Sequence, residues 1–275
     1  MQRKRVLSGM RPTGRLHIGN FVGALMNWRT LQDDYECFFM IADYHALMSE
    51  YSDAASIADN TREVLIDFIS CGLDPDKSAI FRQSDVHEHA ELHLILSSYT
   101  PLGWLERCPT YKEQVQELKA KDVTNYAFLG YPVLQTADIV VYKADTVPVG
   151  EDQLPHLEIA REIVRRFNNL VGKEILVEPL PKLTQSPRLL GLDGRKMSKS
   201  YGNQIDIADE PEVIEKKVAT MFTDPERKRR TDPGRPERCN VHTYYDVFCP
   251  ADCDDVAQKC RSAEWGCTDC KRRLA

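Results

Sequence analysis

The chain has 275 residues, 36 Lys+Arg against 42 Asp+Glu for a net charge of −6, and 42% hydrophobic and 28% charged residues. That length allows one large domain or two ordinary ones around a real core, and the composition excludes a disordered chain. No run of eighteen apolar residues reads as a membrane span, the mild acidity argues against a non-specific nucleic-acid coat, and the apolar run after Arg3-Lys4-Arg5 is too short for a signal peptide, so the expectation is a cytoplasmic protein with neither membrane nor DNA as partner.

In chain order, Val6 to Gly9 reads as a short strand and Arg11-Pro12-Thr13-Gly14 as a turn. From His17 to Leu31 the apolar residues Ile18, Phe21, Val22, Leu25, Trp28 and Leu31 fall at helical spacing. The continuous apolar run Cys37 to Ala42 suits a buried parallel strand. Asp53 is read as the cap of a helix running to about Ser70. Ser78 to Phe81 follows as a strand and Glu88 to Ser98 as a helix. Ile139 to Tyr142 is read as another strand, and Gln153 to Phe167 as a helix after a turn. The Pro-rich stretch Glu178 to Pro181 closes this alternation. Beyond Ala208 the pattern is mostly helical, with Arg227 to Pro236 read as a basic, breaker-rich linker. Strands alternating with helices predict an α/β fold, a doubly wound parallel sheet of Rossmann type over residues 1–190. A loop at 191–205 and a smaller α-helical domain at 206–275 follow.

Two segments have the chemistry of phosphate handling. Gly14-Arg15-Leu16-His17-Ile18-Gly19-Asn20 joins a strand to a helix, a junction that aims free backbone N–H groups at an anion. Gly19 permits close approach, and His17 can donate to phosphate oxygens. On its own this is equally a turn before an amphipathic helix. Lys196-Met197-Ser198-Lys199-Ser200 lies in a loop flanked by Gly194 and Gly202 and supplies two mobile positive charges. An isolated Lys-x-x-Lys is usually a solvated basic loop, but the five-residue match and its pairing with the first motif favour a functional reading.

Together the two segments resemble the HIGH and KMSKS signatures of class I aminoacyl-tRNA synthetases. Asn20 stands where many of these enzymes have histidine, a substitution familiar in the tryptophan and tyrosine branch. Ser8 to Asn20, Ile41 to Leu47, Tyr131 to Ile139 and Val147 to His156 resemble blocks of tryptophanyl-tRNA synthetases in the family's order, covering Arg5 to Asn203. The resemblance implies ATP and L-tryptophan as substrates, Mg²⁺ with the nucleotide, tRNA(Trp) as acceptor, and a homodimer. It implies catalytic roles for His17, Lys196 and Lys199, and an ATP site of Arg11, Thr13, Gly14, Gly19, Asn20, Gly150, Glu151, Asp152, Lys196, Met197, Ser198, Lys199 and Ser200. It implies a tryptophan site of Gly9, His45, Tyr131, Gln135, Asp138 and Gln153, with Asp138 accepting the indole N–H. From spacing alone Asp138 reads as a cap or ion-pair partner, His45 equally as a core histidine, and Lys112 as a surface lysine.

The nine cysteines divide into two groups. Cys37, Cys71 and Cys108 sit among apolar neighbours and are read as small core residues. Cys239, Cys249, Cys253, Cys260, Cys267 and Cys270 crowd the C-terminal end, which in a reducing compartment points to metal ligation. Cys239, Cys260, Cys267 and Cys270 give a four-thiolate pattern suited to zinc or to a [4Fe–4S] cluster, and Cys-x2-Cys by itself leans to zinc. The resemblance to a subset of bacterial tryptophanyl-tRNA synthetases implies the iron–sulfur cluster. The first spacing is shorter than theirs, so Cys249 or Cys253 is an alternative first ligand. The family's helical anticodon-binding domain normally continues further, so the helical end is expected to be truncated. The competing functions are tyrosyl-tRNA synthetase, a non-catalytic synthetase-like RNA-binding protein, and a small-molecule nucleotidyltransferase.

Overall fold

In the computed structural model, which describes residues 3–117, 123–183 and 189–275, five strands form one all-parallel sheet in the order β3-β2-β1-β4-β5. β1 is Arg5–Met10, β2 Glu36–Ile41, β3 Ser78–Arg82, β4 Thr146–Val149 and β5 Leu180–Leu183. The register runs from Arg5↔Glu36 to Met10↔Ile41 between β1 and β2, and from Cys37↔Ser78 to Ile41↔Arg82 between β2 and β3. Successive side chains leave opposite faces of such a sheet. Leu7 therefore joins a core with Val133, Ala137 and Ile139 of helix Tyr131–Val141 and Leu157, Ala160 and Ile163 of helix Leu154–Val171. On the other face Phe39 stacks on Trp28 at 5.0 Å, and Trp28 meets Phe68 edge-on at 5.5 Å. Strand order reverses between β1 and β4, and the crevice beyond their C-terminal ends is where open parallel sheets bind ligands. Cys37, Cys71 and Cys108 are buried, as their neighbours required.

The chain divides into two compact units, Met1–Arg15 with Asn27–Gln185, and Leu16–Met26 with Ser186–Ala275. The first contains the sheet. The second gathers Val22, Leu189, Met197, Val218, Met221, Val241, Tyr244 and Tyr245 into its own core. Helices Pro211–Ala219, Asn240–Phe248, Cys253–Arg261 and Cys267–Leu274 surround that core. Among the described residues no helix is long and apolar enough to cross a membrane.

Several elements differ from the sequence expectation. Ile139 to Tyr142 is not a strand: Ile139, Val140 and Val141 end helix Tyr131–Val141, and Tyr142 is its C-terminal cap. That helix is buried on nearly every side, so its apolar residues run together as a buried strand's would. The strand here is β4, whose Pro148 reads as a turn residue. Its partnership with β1 is short, with Val6↔Thr146 as the paired position, so the missing N–H of Pro148 costs little there. The Pro-rich stretch does not end the sheet either. Pro181 lies in edge strand β5, paired with Val147, where proline is tolerated. Asp53 is not a cap: it ends the 3-10 turn Tyr51–Asp53, and helix Ala55–Ser70 starts with no side-chain cap bond. The helix after His17 runs through a π segment, Phe21–Leu25, before continuing as Met26–Asp34. Arg227 to Pro236 is packed and not a free linker. Arg235 grips buried Asp224 at 2.6 Å, and Arg227 donates to the Trp265 carbonyl at 2.7 Å.

Candidate active site

In the sheet-bearing unit, two of the predicted tryptophan residues, His45 and Asp138, are hydrogen-bonded to each other. Helical spacing brings Tyr131, Gln135 and Asp138 towards one face of helix Tyr131–Val141. Asp138 is 2% exposed. His45 donates Nε2–H to its Oδ2 at 2.8 Å, and Gln83 Nε2 and His89 Nδ1 donate to its Oδ1 at 2.7 and 2.6 Å. The far nitrogen of His89 accepts from the Tyr142 hydroxyl at 2.8 Å. Burial alone would raise the Asp138 pKa. The hydrogen bonds from His45 and His89 outweigh it and hold the carboxyl below the ordinary value. A carboxylate has about four acceptor sites, and these bonds occupy three. Gln83 and His89 are not legible as site residues, because each lies in a different element from Asp138, whereas Tyr142 caps the same helix one turn beyond Asp138 and reaches it only through His89. Tyr131 is buried and its hydroxyl lies 3.4 Å from His156 Nδ1. Gly9 sits at the end of β1, where a Cβ would come within 2.7 Å of the Met40 carbonyl oxygen. An apolar cavity of about 560 Å³ is lined by Leu47, Met48, Tyr51, Ala127 and Leu134, with His93 and Asn125 as polar groups. None of the six predicted tryptophan residues lines it.

Arg11 follows β1 and is open to solvent yet crowded by protein atoms. That crowding lowers its pKa, against the pull of Glu50 and Tyr131. Thr13 N–H closes a turn on the Arg11 carbonyl at 2.9 Å, and Gly14 takes φ +120°, a conformation glycine tolerates best. Gly150 precedes the short turn Glu151–Gln153 beyond β4; Glu151 and Gln153 are exposed, and the Asp152 side chain lies outside the described residues. Lys112 is exposed on helix Pro109–Glu117.

The second unit holds Leu16 to Asn20 of the first phosphate-handling segment together with the second segment. His17 caps the helix that follows. Its Nδ1 accepts from Asn20 N–H at 3.3 Å, while Asn20 Oδ1 accepts from His17 N–H at 3.0 Å. This reciprocal box is the structural role of Asn20. Burial, followed by the nearby Lys199 charge, lowers the His17 pKa to about 4. At neutral pH the ring is uncharged, and with Nδ1 accepting, the proton resides on Nε2 as a hydrogen-bond donor. Backbone bonds from Ile18 N to Ile205 O at 3.0 Å and from Ile207 N to Leu16 O at 2.9 Å tie the helix start to the segment after the lysine loop.

That loop is organised by a residue the signature does not name. Asn203, 3% exposed, donates to Asp193 Oδ1 at 2.7 Å and to the Lys196 carbonyl at 3.1 Å, and accepts from Ser198 N–H at 2.9 Å. Asn203 and then the Arg195 N–H pull the Asp193 pKa down to about 2. Met197 is buried in the core, with its sulfur 3.2 Å from where a Cβ on Gly19 would lie. Lys196 is exposed and Lys199 half-buried; the Ser200 side chain lies outside the described residues.

Cys239, Cys260, Cys267 and Cys270 form an electrostatically coupled set. Burial raises the Cys239, Cys260 and Cys270 thiols, Cys270 to about 11, and every pairing among the four contributes. Cys253 lies outside that set, against Asp246 and His242. Arg227 reaches Cys260 Sγ at 3.6 Å. Among the described residues, the trio whose metal-ligating atoms all lie within 4.8 Å of one another is His242, Asp246 and Cys253; the four coupled cysteines are not such a group.

Residues 1–275 match the family described as tRNA synthetases class I (W and Y). The chain is 51% identical to the tryptophan–tRNA ligase of Thermotoga maritima, covering 98% of this chain and 83% of that protein. It is 44% identical to the tryptophan–tRNA ligase of Ralstonia nicotianae, over 98% and 85% of the two. The crystal structure of tryptophanyl-tRNA synthetase from Campylobacter jejuni complexed with ADP and tryptophan superposes with a TM-score of 0.88 at 37% identity, over 98% of this chain and 83% of that one. With the parallel sheet, the helix-capping His17 and the Lys196–Lys199 loop in place, the chain belongs to the class I aminoacyl-tRNA synthetases of the tryptophan and tyrosine branch.

Proposed function

We propose that this enzyme is a tryptophan–tRNA ligase, which activates L-tryptophan with ATP and transfers it to tRNA(Trp). One observation carries the mechanism: His17, held neutral with its donor proton on Nε2, shares a unit with the Lys196–Lys199 loop and feels the Lys199 charge. The tryptophan carboxylate attacks the α-phosphorus of ATP in line, the bond to pyrophosphate breaks, and tryptophanyl-adenylate forms. The nucleophile is already an anion, so the reaction needs positioning and charge stabilisation and no general base. His17 Nε2–H donates to a phosphate oxygen, while Lys196 and Lys199 follow the negative charge onto the leaving pyrophosphate. Neutralisation of the remaining phosphate charge is the chemistry that Mg²⁺ brought in by the nucleotide supplies.

Arg11, Thr13, Gly14, Gly150, Glu151 and Asp152 hold the nucleotide. Tyr131, Gln135 and Gln153 hold the polar end of the amino acid, and Gly9 leaves room for its ring. Indole N–H is a donor with no acceptor capacity. Asp138, with one acceptor site beyond its three bonds, supplies the buried partner, and His45 braces it. In the second step a terminal ribose hydroxyl of the tRNA takes the tryptophanyl group and AMP leaves.

Cys239, Cys260, Cys267 and Cys270 would hold a [4Fe–4S] cluster, which contributes a covalent crosslink between segments distant in sequence. Their mutual coupling supports the set. A single tetrahedral zinc draws its sulfurs to ~3.8 Å of one another, tighter than the placement of these four; a cubane accepts more widely spread thiolates. The resemblance to the tryptophan enzymes implies assembly as a homodimer. Nine free cysteines suit the reducing cytoplasm. The deciding experiment is exchange of label between pyrophosphate and ATP with tryptophan, tyrosine or neither. Exchange should depend on tryptophan, and exchange driven by tyrosine alone would overturn the specificity.

A further inference from the structure

Apart from the four-cysteine set, the second unit brings together three donors outside both signatures, among them Cys253, the alternative first ligand, which lies against His242 and Asp246 instead. His242 and Asp246 lie four residues apart on helix Asn240–Phe248, hence on one face. Cys253 is the first residue of the next helix, Cys253–Arg261, and turns its thiol towards both. Cys253 Sγ lies 3.3 Å from His242 Nε2 and donates to Asp246 Oδ1 at 2.7 Å, while His242 Nδ1 lies 3.7 Å from Asp246 Oδ2. One ligand atom from each lies within 4.8 Å of the other two.

We propose that His242, Asp246 and Cys253 bind one thiophilic divalent cation of zinc type, at a site distinct from the four-cysteine set, stapling helix Asn240–Phe248 to helix Cys253–Arg261. Sulfur and imidazole nitrogen on one tetrahedral zinc stand ~3.5 Å apart, close to the 3.3 Å between Cys253 and His242. Asp246 has only to draw back from the sulfur, and its exposed side chain is at liberty to turn. His242 is partly exposed and Cys253 buried, so the inner side is protein and the outer side admits a water as fourth ligand. The thiol proton that now bridges Cys253 and Asp246 leaves to solvent when the cation enters. The start of a helix stabilises the thiolate that remains.

A Cys–His–Asp nucleophile is the competing use of these residues. Burial and Asp246 keep the Cys253 thiol protonated, up to about 12, so it is no nucleophile without a cation. The cation requires no redox partner, and its binding does not depend on the ligase reading.

The test is a Co²⁺ titration of the full chain as purified, followed anaerobically by difference absorbance and repeated with Zn²⁺ as competitor. The expected result is one equivalent per chain with a thiolate-to-cobalt band, lost in Cys253→Ser and His242→Ala, weakened at least ~10-fold in Asp246→Asn, and retained in Cys267→Ser. Zn²⁺ should also raise the melting temperature of the wild type and of Cys267→Ser, but not of Asp246→Asn. Cobalt binding that survives Cys253→Ser, binding that disappears with Cys267→Ser, or no binding tighter than ~0.1 mM overturns the site.

Discussion

Asp138 is already addressed by three donors, and this sets the effect of changing it. An amide in its place must turn an NH₂ group towards either His45 or the Gln83–His89 pair, so at least one donor faces another donor. Asp138→Asn is therefore expected to raise the tryptophan KM by ~10-fold or more and to cost ~1–3 kcal/mol of stability, with the ATP KM nearly unchanged. Substrate titrations in the exchange assay and a thermal melt check both effects; an unchanged tryptophan KM would assign Asp138 a purely structural role. His17 gives a pH dependence of defined sign. Its folded pKa is about 4 against an ordinary 6.5, so between these values the unfolded chain binds the extra proton. Stability contributed by neutral His17 is complete above pH 6.5 and is lost as pH falls towards 4. Relative to wild type, His17→Gln should flatten the decline of stability across that window by roughly 1–2 kcal/mol, measured by denaturant unfolding at pH 4.5 and 7. An identical slope in the two proteins would mean that the ring is not held neutral.

The loop bearing the two lysines owes its shape to Asn203, whose side chain ties Asp193, the Lys196 carbonyl and the Ser198 N–H together. Asn203→Ala removes these bonds at once and should lower the single-turnover activation rate by ~10-fold or more while leaving the tryptophan Kd within about twofold. Equal losses in rate and affinity would place the effect in ground-state binding instead. Asn203 closes the block match in the sequence, yet nothing in its type or spacing distinguishes it from a turn asparagine; only the folded loop reveals its bonds. The same limit explains the misread elements. A continuous apolar run identifies β2, which is covered on both faces, and hydrophobic period identifies the helix after His17, which has one clear face. It fails at Ile139 to Tyr142, where burial all round erases the period, and at β4 and β5, where Pro148 and Pro181 look like stop signals. The lysine and histidine signatures were legible because phosphate chemistry restricts residue type at fixed spacing. The donors around Asp138 come from separate elements, which spacing does not encode.

At the scale of the whole molecule, the chain's path couples two sites that lie far apart in sequence. Leu16–Met26 leaves the sheet-bearing unit and joins Ser186–Ala275, so His17 and the lysine loop share a unit with the cysteines. Val22 and Met197 contribute to the same core as Cys239, Cys253 and Cys270. Helix Cys267–Leu274 is only eight residues long and would be marginal alone. It is anchored by the Tyr245 hydroxyl donating to the Cys270 carbonyl at 2.9 Å and by Lys271 Nζ donating to the Ala219 carbonyl at 2.9 Å. A cluster held by Cys239, Cys260, Cys267 and Cys270 would tie this helix to Cys239 at the start of helix Asn240–Phe248, and a group bound only by the folded state stabilises that state. Distance along the chain would predict that Cys267→Ser spares adenylate formation. The shared core predicts the contrary. Cys267→Ser protein, purified anaerobically, should lose broad visible absorbance and bound iron, melt ~2–4 °C lower for each kcal/mol lost, and show a several-fold slower tryptophan-dependent exchange. Its tryptophan affinity should change little, because Asp138, Tyr131 and Gln135 belong to the other unit. A bleached protein with undiminished exchange would show that the His17 segment is held independently of the cysteine-bearing helices, whereas a colourless wild type containing one zinc per chain would replace the cluster and leave the coupling argument intact.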